Sequence, residues 1–295
     1  MNMEITAALV KELRERSGAG MMECKKALTE NAGNIEAAAD WLRATGLVKA
    51  DKKATRIAAE GRVALAHGDG RSVLVELNCE TDFVGKDENF AKLANTVAAA
   101  AVAAGTADVD VIKALKLADG GTVDEARQAL VAKIGENLQV RRAAMVSAPI
   151  IGAYVHSNNK LGVLVAMEGG SAELAKGIAM HIAAMNPQYL DMSQIPAEVM
   201  TRERDIAMEQ SKDSGKPPEI LEKMIQGKIR KTLAEQTLLG QAYAAPDANG
   251  MGVEEALKKG GAKVTSFVRI NVGEGIEKKE ENFAEEVMKQ VQASK

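Results

Sequence analysis

The chain has 295 residues, enough for about two domains with buried cores, and 46% of its residues are apolar while only 3% are aromatic. Ala, Val, Leu and Met must fill the interior, which suits closely packed helices and helix-covered sheets and disfavours a large aromatic-lined cofactor pocket. A net charge of −3 with a pI near 5.8 supplies no basic field and argues against direct nucleic-acid binding.

Cys24 and Cys79 are far apart and form no CxxC pair, which predicts a reducing compartment without disulfides or a zinc site. The N-terminal "MNMEITAALVKELRER" meets charged residues too early for a signal peptide. The longest apolar stretch, "ANTVAAAAVAAG", falls short of the roughly 20 residues of a membrane-spanning helix. The expectation is a cytoplasmic protein with no membrane association.

The first segment reads as three short helices. Thr6 caps a helix with Leu9, Val10 and Leu13 on one face, stopped by "SGAG". "MMECKKALTE" follows with Met21, Cys24 and Leu28 close to one stripe. Adjacent Met21 and Met22 cannot both face a narrow stripe, so one is expected partly exposed. Asn34 caps "IEAAADWLRATG", and the charged "VKADKKATRIAAEG" reads as a linker. The outline is that of a ubiquitin-associated-like module over residues 1–55.

An internal repeat comes next. "GRVALAHGDGRSVLVEL" and "GAYVHSNNKLGVLVAM" each read as a hairpin, turning at Gly68-Asp69-Gly70 and Ser157-Asn158-Asn159, and each precedes an alanine-rich helix. This predicts two related hairpin-plus-helix subdomains side by side, the first over 56–148, the second over 149–186 and 233–268. Between second strand and helix the second copy has only "EGGS", whereas the first has "NCETDFVGKD". The longer stretch is not needed to close the unit. Phe83 there either lids its own hairpin or is held out for a partner to receive, with Asp82 beside it.

Residues 187–232 change character. "SQIPAEVMTRERDIAMEQSKD" and "PEILEKMIQGKIRKTLAEQ" are charged amphipathic helices with Leu221, Ile225, Ile229 and Leu233 in line, which predicts an inserted antiparallel helical hairpin with a coiled-coil-like seam. Strand-like sequence resumes at "AKVTSFVRINVG". A C-terminal module, 269–295, ends in a helix with Phe283, Val287 and Val291 on one stripe. The fold class is α+β.

No catalytic constellation stands out. His67, His156 and His181 are too scattered for a metal site. Cys24 fits a buried stripe, and Glu80 and Asp82 are expected to raise the pKa of Cys79 and dull it as a nucleophile. "SGKPP" lacks the upstream glycine and the following Ser or Thr of a phosphate loop, so no nucleotide, metal or other cofactor is expected.

Several segments in order carry a resemblance. "VKELRERSGAGMMECKKAL", "LNCETDFV", "IAMHIAAMNP" and "FVRINVGEGIEK" are similar to segments of the elongation factor Ts family, the guanine-nucleotide exchange factors of elongation factor Tu. The resemblance implies that Thr81, Asp82, Phe83 and Val84 intrude beside the magnesium and phosphate site of elongation factor Tu in its GDP-bound form. Phe83 would be the wedge, with Asp82 helping to displace the magnesium. It further implies that Arg14, Met21 and Met22 grip the partner's GTPase domain and that His156 touches another of its domains. The arm would form a homodimer and the C-terminal module would also touch the partner. No covalent chemistry is implied. The rival readings are an adaptor that leaves a partner's nucleotide affinity unchanged and an enzyme using Cys79 and Glu80.

Overall fold

The computed structural model describes residues 5–211, 217–245, 248 and 250–277. The expected terminal helix and most of the turn at the tip of the arm lie outside these residues.

Three helices open the chain: α1 (Ala7–Ser17), α2 (Met21–Glu30) and α3 (Ile35–Lys53). The Thr6 hydroxyl accepts the Leu9 N–H, and Gly18 ends α1 at φ +66°. Asn34 Oδ1 accepts the Ala37 N–H at 3.0 Å at the start of α3. Val10, Leu13, Cys24, Ala27, Leu28 and Ala38 form the small core. Two expectations are corrected. Met21 lies off the buried stripe, so both methionines are exposed. The "VKADKK" segment continues α3 to Lys53 instead of linking, because Lys, Ala and Asp carry no backbone penalty that would stop it.

The repeat folds into two antiparallel sheets of three strands. β1 (Glu60–Gly68), β2 (Arg71–Cys79) and β3 (Gln139–Ser147) form one in that order. β4 (Ile150–Val155), β5 (Leu161–Gly169) and β6 (Ala262–Asn271) form the other. Each unit is thus a hairpin, a helix and a returning third strand. Both carry a register slip at the same place on the central strand, Glu76/Leu77 and Ala166/Met167.

The sheets stack face to face. Val63, Leu74, Val146, Leu164, Ala166 and Ile270 pack between them. Alternate residues on the central strands, Val73, Val75 and Leu77 in one and Val163, Val165 and Met167 in the other, face outward into separate helix-covered cores. Helix α5 (Glu88–Ala104), with α6 (Val109–Ala114) and α7 (Val123–Ile134), covers the first sheet, and α8 (Ala172–Met185) the second. The approach of the sheets is close enough that a Cβ on Gly162 would lie 2.7 Å from Val63 and 2.9 Å from Leu74.

A buried ionic joint locks the two units. Glu76 is fully buried, and its carboxylate accepts from Arg141 Nη1 at 3.0 Å, from Arg142 Nε and from the Gly273 N–H at 2.8 Å. Arg142 Nη2 also donates to the Asn271 carbonyl at 2.8 Å. Burial opposes ionisation of Glu76, but the Gly273 N–H and the two guanidiniums outweigh it and hold the carboxyl below its ordinary range.

Helices α9 (Ala197–Glu209) and α10 (Pro218–Glu235) form the predicted arm between α8 and α11 (Val253–Lys259). Ile225 and Leu233 are buried and Leu221 and Ile229 half-buried, as the seam requires. Leu190 and Leu238 anchor its base in the second core, where Leu238 N–H donates to the Tyr189 carbonyl at 2.8 Å.

Candidate partner-binding site

The segment after β2 forms a single helical turn, α4 (Asp82–Gly85), before α5 begins at Glu88. After β5 there is no such turn: Ser171 caps α8 directly. The Thr81 hydroxyl accepts the Val84 N–H at 3.4 Å, and Asp87 Oδ1 accepts the Asn89 and Phe90 N–H groups at 2.8 and 3.1 Å. Thr81 therefore caps the start of the turn and Asp87 the start of α5, each from its own local sequence.

The turn has a firm base. Cys79 is fully buried, and its S–H donates to the Thr81 carbonyl at 3.1 Å. Val84 packs against the first core. Gly85 lies so close to Gly61 that a Cβ there would stand 3.2 Å from the Gly61 carbonyl oxygen. The carboxylate of Glu136, from the connection between α7 and β3, accepts the Glu80 and Thr81 N–H groups at 3.0 Å each and the Thr81 hydroxyl at 2.6 Å.

Phe83 points away from all of this. Its side chain is 80% exposed, so the ring does not lid its own hairpin. Asp82, also accessible, pairs with Lys86 Nζ at 2.7 Å, and that ion pair holds its carboxyl below the ordinary range. Lys160, from the β4–β5 turn, pairs with Glu60 at 2.6 Å, and the Asn159 carbonyl accepts the Val63 N–H at 2.7 Å. The second unit's turn, which also carries His156, is thus tied to the first unit's β1.

The other expected residues sit apart from this turn. Arg14, Met21 and Met22 are exposed on α1 and α2, with Met22 at 75%. His156 is exposed, and its Nδ1 lies 2.8 Å from the Tyr154 hydroxyl. A cleft of about 860 Å³ between the N-terminal module and α7, lined by Arg16, Trp41, Thr122 and Gln128 among others, contains none of the site residues.

His181, His67 and Cys79 each have a partner within the fold. His181 is buried, with Nδ1 accepting the Ala244 N–H at 3.0 Å and Nε2 donating to Gln241 Oε1 at 2.9 Å, and burial lowers its pKa. His67 lies 2.8 Å from the Ser72 hydroxyl. Cys79 has its pKa pushed up to about 12 by burial, then by Glu136 and Glu60. The direction matches expectation but the charges responsible do not: Glu80 and Asp82 turn toward other partners. Among the described residues, no group of His, Cys, Asp and Glu could hold a metal ion, and no helix is long and apolar enough to cross a membrane.

Sequence reasoning missed Glu136. Its effect on the turn spans more than fifty residues of chain, and nothing local in "IGENLQ" marks it.

Comparison with known proteins gives a consistent result. A family model described as Elongation factor TS matches residues 80–274. A Xanthomonas campestris protein named Elongation factor Ts is 58% identical over 291 residues, covering 98% of this chain and 99% of the relative. One of the same name from Xylella fastidiosa is 57% identical over 292 residues, again covering 98% and 99%.

Proposed function

This chain belongs to the elongation factor Ts family of translation elongation factors, and we propose that it binds elongation factor Tu–GDP and promotes release of the nucleotide. The observation that carries the reading is Phe83, 80% exposed on a turn that the second repeat unit lacks and that Glu136 anchors at its base.

The mechanism is a wedge. Burying a Phe side chain yields about 1.5–3 kcal/mol, which becomes available only when the partner opens to receive it. Asp82, ionised, arrives alongside and opposes retention of the partner's magnesium and phosphates by competing charge. Thr81 and Val84 hold the turn in shape from either side. Factor and nucleotide binding are reciprocally coupled, so the factor weakens GDP by the same ratio that GDP weakens the factor. A thousandfold weakening corresponds to about 4 kcal/mol, the scale of the wedge plus lost metal coordination. No covalent step is needed and no cofactor of the chain's own takes part.

Arg14, Met21 and Met22 supply the grip on the GTPase domain, where exposed methionines make an adaptable contact. His156 supplies a contact to a second domain of the partner. The arm supplies a homodimer surface, supported by exposed Met200, Met208 and Ile220. The protein works in the cytoplasm, without direct nucleic-acid or membrane binding. The test is release of fluorescent GDP from elongation factor Tu: catalytic amounts of the chain must accelerate it, whereas an adaptor would bind and leave the rate unchanged.

A further inference from the structure

We infer that Glu136 is the positioning residue of the Phe83 turn and that, with Asn137, it fixes this turn relative to the exit of the N-terminal module. The inference rests on the exchange reading above and adds to it how the wedge is aimed.

Alone, α4 could not hold Phe83 in place. It is one turn long and buries none of its residues, and an isolated turn is unstable because nucleation fixes several residues for one hydrogen bond. Orientation must come from outside the turn, and Glu136 is placed to give it. The residue follows Gly135, which ends α7 at φ +91° with its N–H on the Val131 carbonyl at 2.9 Å. One carboxylate oxygen takes both backbone N–H groups of Glu80 and Thr81, and the other takes the Thr81 hydroxyl. Because that hydroxyl donates to Glu136, its lone pairs remain directed to the Val84 N–H, so the long-range contact also sets the local cap.

Asn137 carries the same joint toward the N-terminal module. Its N–H donates to the Glu80 carboxylate at 2.6 Å, which also accepts from Arg56 Nη1 at 3.4 Å. Its own side chain, 1% exposed, donates to the Arg56 carbonyl at 2.7 Å and the Ala54 carbonyl at 3.4 Å. Gln139 Nε2 donates to the same Ala54 carbonyl at 3.2 Å. The base of the Phe83 turn and the chain leaving α3 are therefore held by two consecutive residues. A wedge acts only if it arrives at the right place when the module grips, and this joint sets that distance.

The test compares wild type, Glu136→Ala, Glu136→Gln, Phe83→Ala and the double variant Phe83→Ala/Glu136→Ala in fluorescent-GDP release from elongation factor Tu. Thermal unfolding runs alongside. Glu136→Ala should lower the maximal release rate by roughly ten- to a hundredfold, the scale of a misplaced reacting group, with half-saturation changed less than about threefold. Glu136→Gln keeps one acceptor oxygen for the Glu80 and Thr81 N–H groups but sets an NH2 where the Thr81 hydroxyl donates, so it should recover only part of the rate. The double variant should be no slower than Phe83→Ala alone, since Glu136 acts through that ring. If Glu136→Ala does not fold, Thr81→Val, which removes the hydroxyl's bond to Glu136 and its cap on Val84 but leaves both backbone N–H bonds to Glu136, must show the same non-additivity with Phe83→Ala. The inference is overturned if folded Glu136→Ala releases GDP at the wild-type rate, or if its loss multiplies with that of Phe83→Ala. If Phe83→Ala itself matches wild type, the wedge reading fails and this inference falls with it, whatever Glu136→Ala shows.

Discussion

Thr81 and Ser171 stand at equivalent points of the two repeat units, each the first cap after the central strand, with hydroxyls accepting the Val84 N–H at 3.4 Å and the Leu174 N–H at 3.1 Å. After Ser171 the covering helix begins at once; after Thr81 the chain first makes α4. Joining Thr81 directly to Glu88 would give the first unit the layout that the second already uses. This deletion should leave a folded protein with a melting temperature within about 5 °C of wild type while abolishing acceleration of GDP release. Calorimetry and the release assay together check it.

Glu76 predicts a different outcome. Removing its carboxylate leaves Arg141 and Arg142 partly buried beside the seam between the sheets. Glu76→Ala should cost about 3–5 kcal/mol, read as a lower denaturant midpoint, because the partners of the lost charge stay behind. The same group sets an acid limit. Its folded pKa lies below the ordinary 4.5, so its contribution is fully present above that value and is lost as pH falls through the folded pKa.

His181 acts in a higher window. Its folded pKa lies below the ordinary 6.5, so the unfolded chain binds the extra proton and stability declines as pH falls below that value. Protonation would also set an Nδ1–H against the Ala244 N–H that now donates to it. Between about pH 7.5 and pH 5.5 the melting temperature should fall less in His181→Gln than in wild type. An equal fall in both would contradict this.

Cys79 should be inert. With its pKa raised to about 12 and its sulfur fully buried, alkylation near neutral pH should proceed only as fast as the protein opens. Rapid, selective labelling of the folded protein would revive the reading of Cys79 as a nucleophile.

What was legible in the sequence had local causes. Glycine and asparagine turns marked both hairpins, Thr6, Gly18 and Asn34 bounded helices, and the spacing of Leu221, Ile225, Ile229 and Leu233 marked the arm's seam. What was missed depended on distant partners. β3, "QVRRAAMVS", was not singled out, yet its Arg141 and Arg142 both reach Glu76 on β2. Glu76 stands within the alternating run of β2, and nothing local there marks its partners on β3 and at Gly273. β2 is covered on both sides, by α5 and by the second sheet, a fact no single segment contains. The Phe83 turn stood out only because the second copy lacked it, while Glu136, its anchor, had no local signature.

The central claim is tested most directly by fluorescent-GDP release from elongation factor Tu with intact protein and with Phe83→Ala, alongside a binding measurement. The ring is 80% exposed, so its removal should change stability by less than about 0.5 kcal/mol. The account predicts a variant that still folds and binds but accelerates release poorly. Equal acceleration by both proteins would contradict it and move the work to Asp82 or to the N-terminal grip.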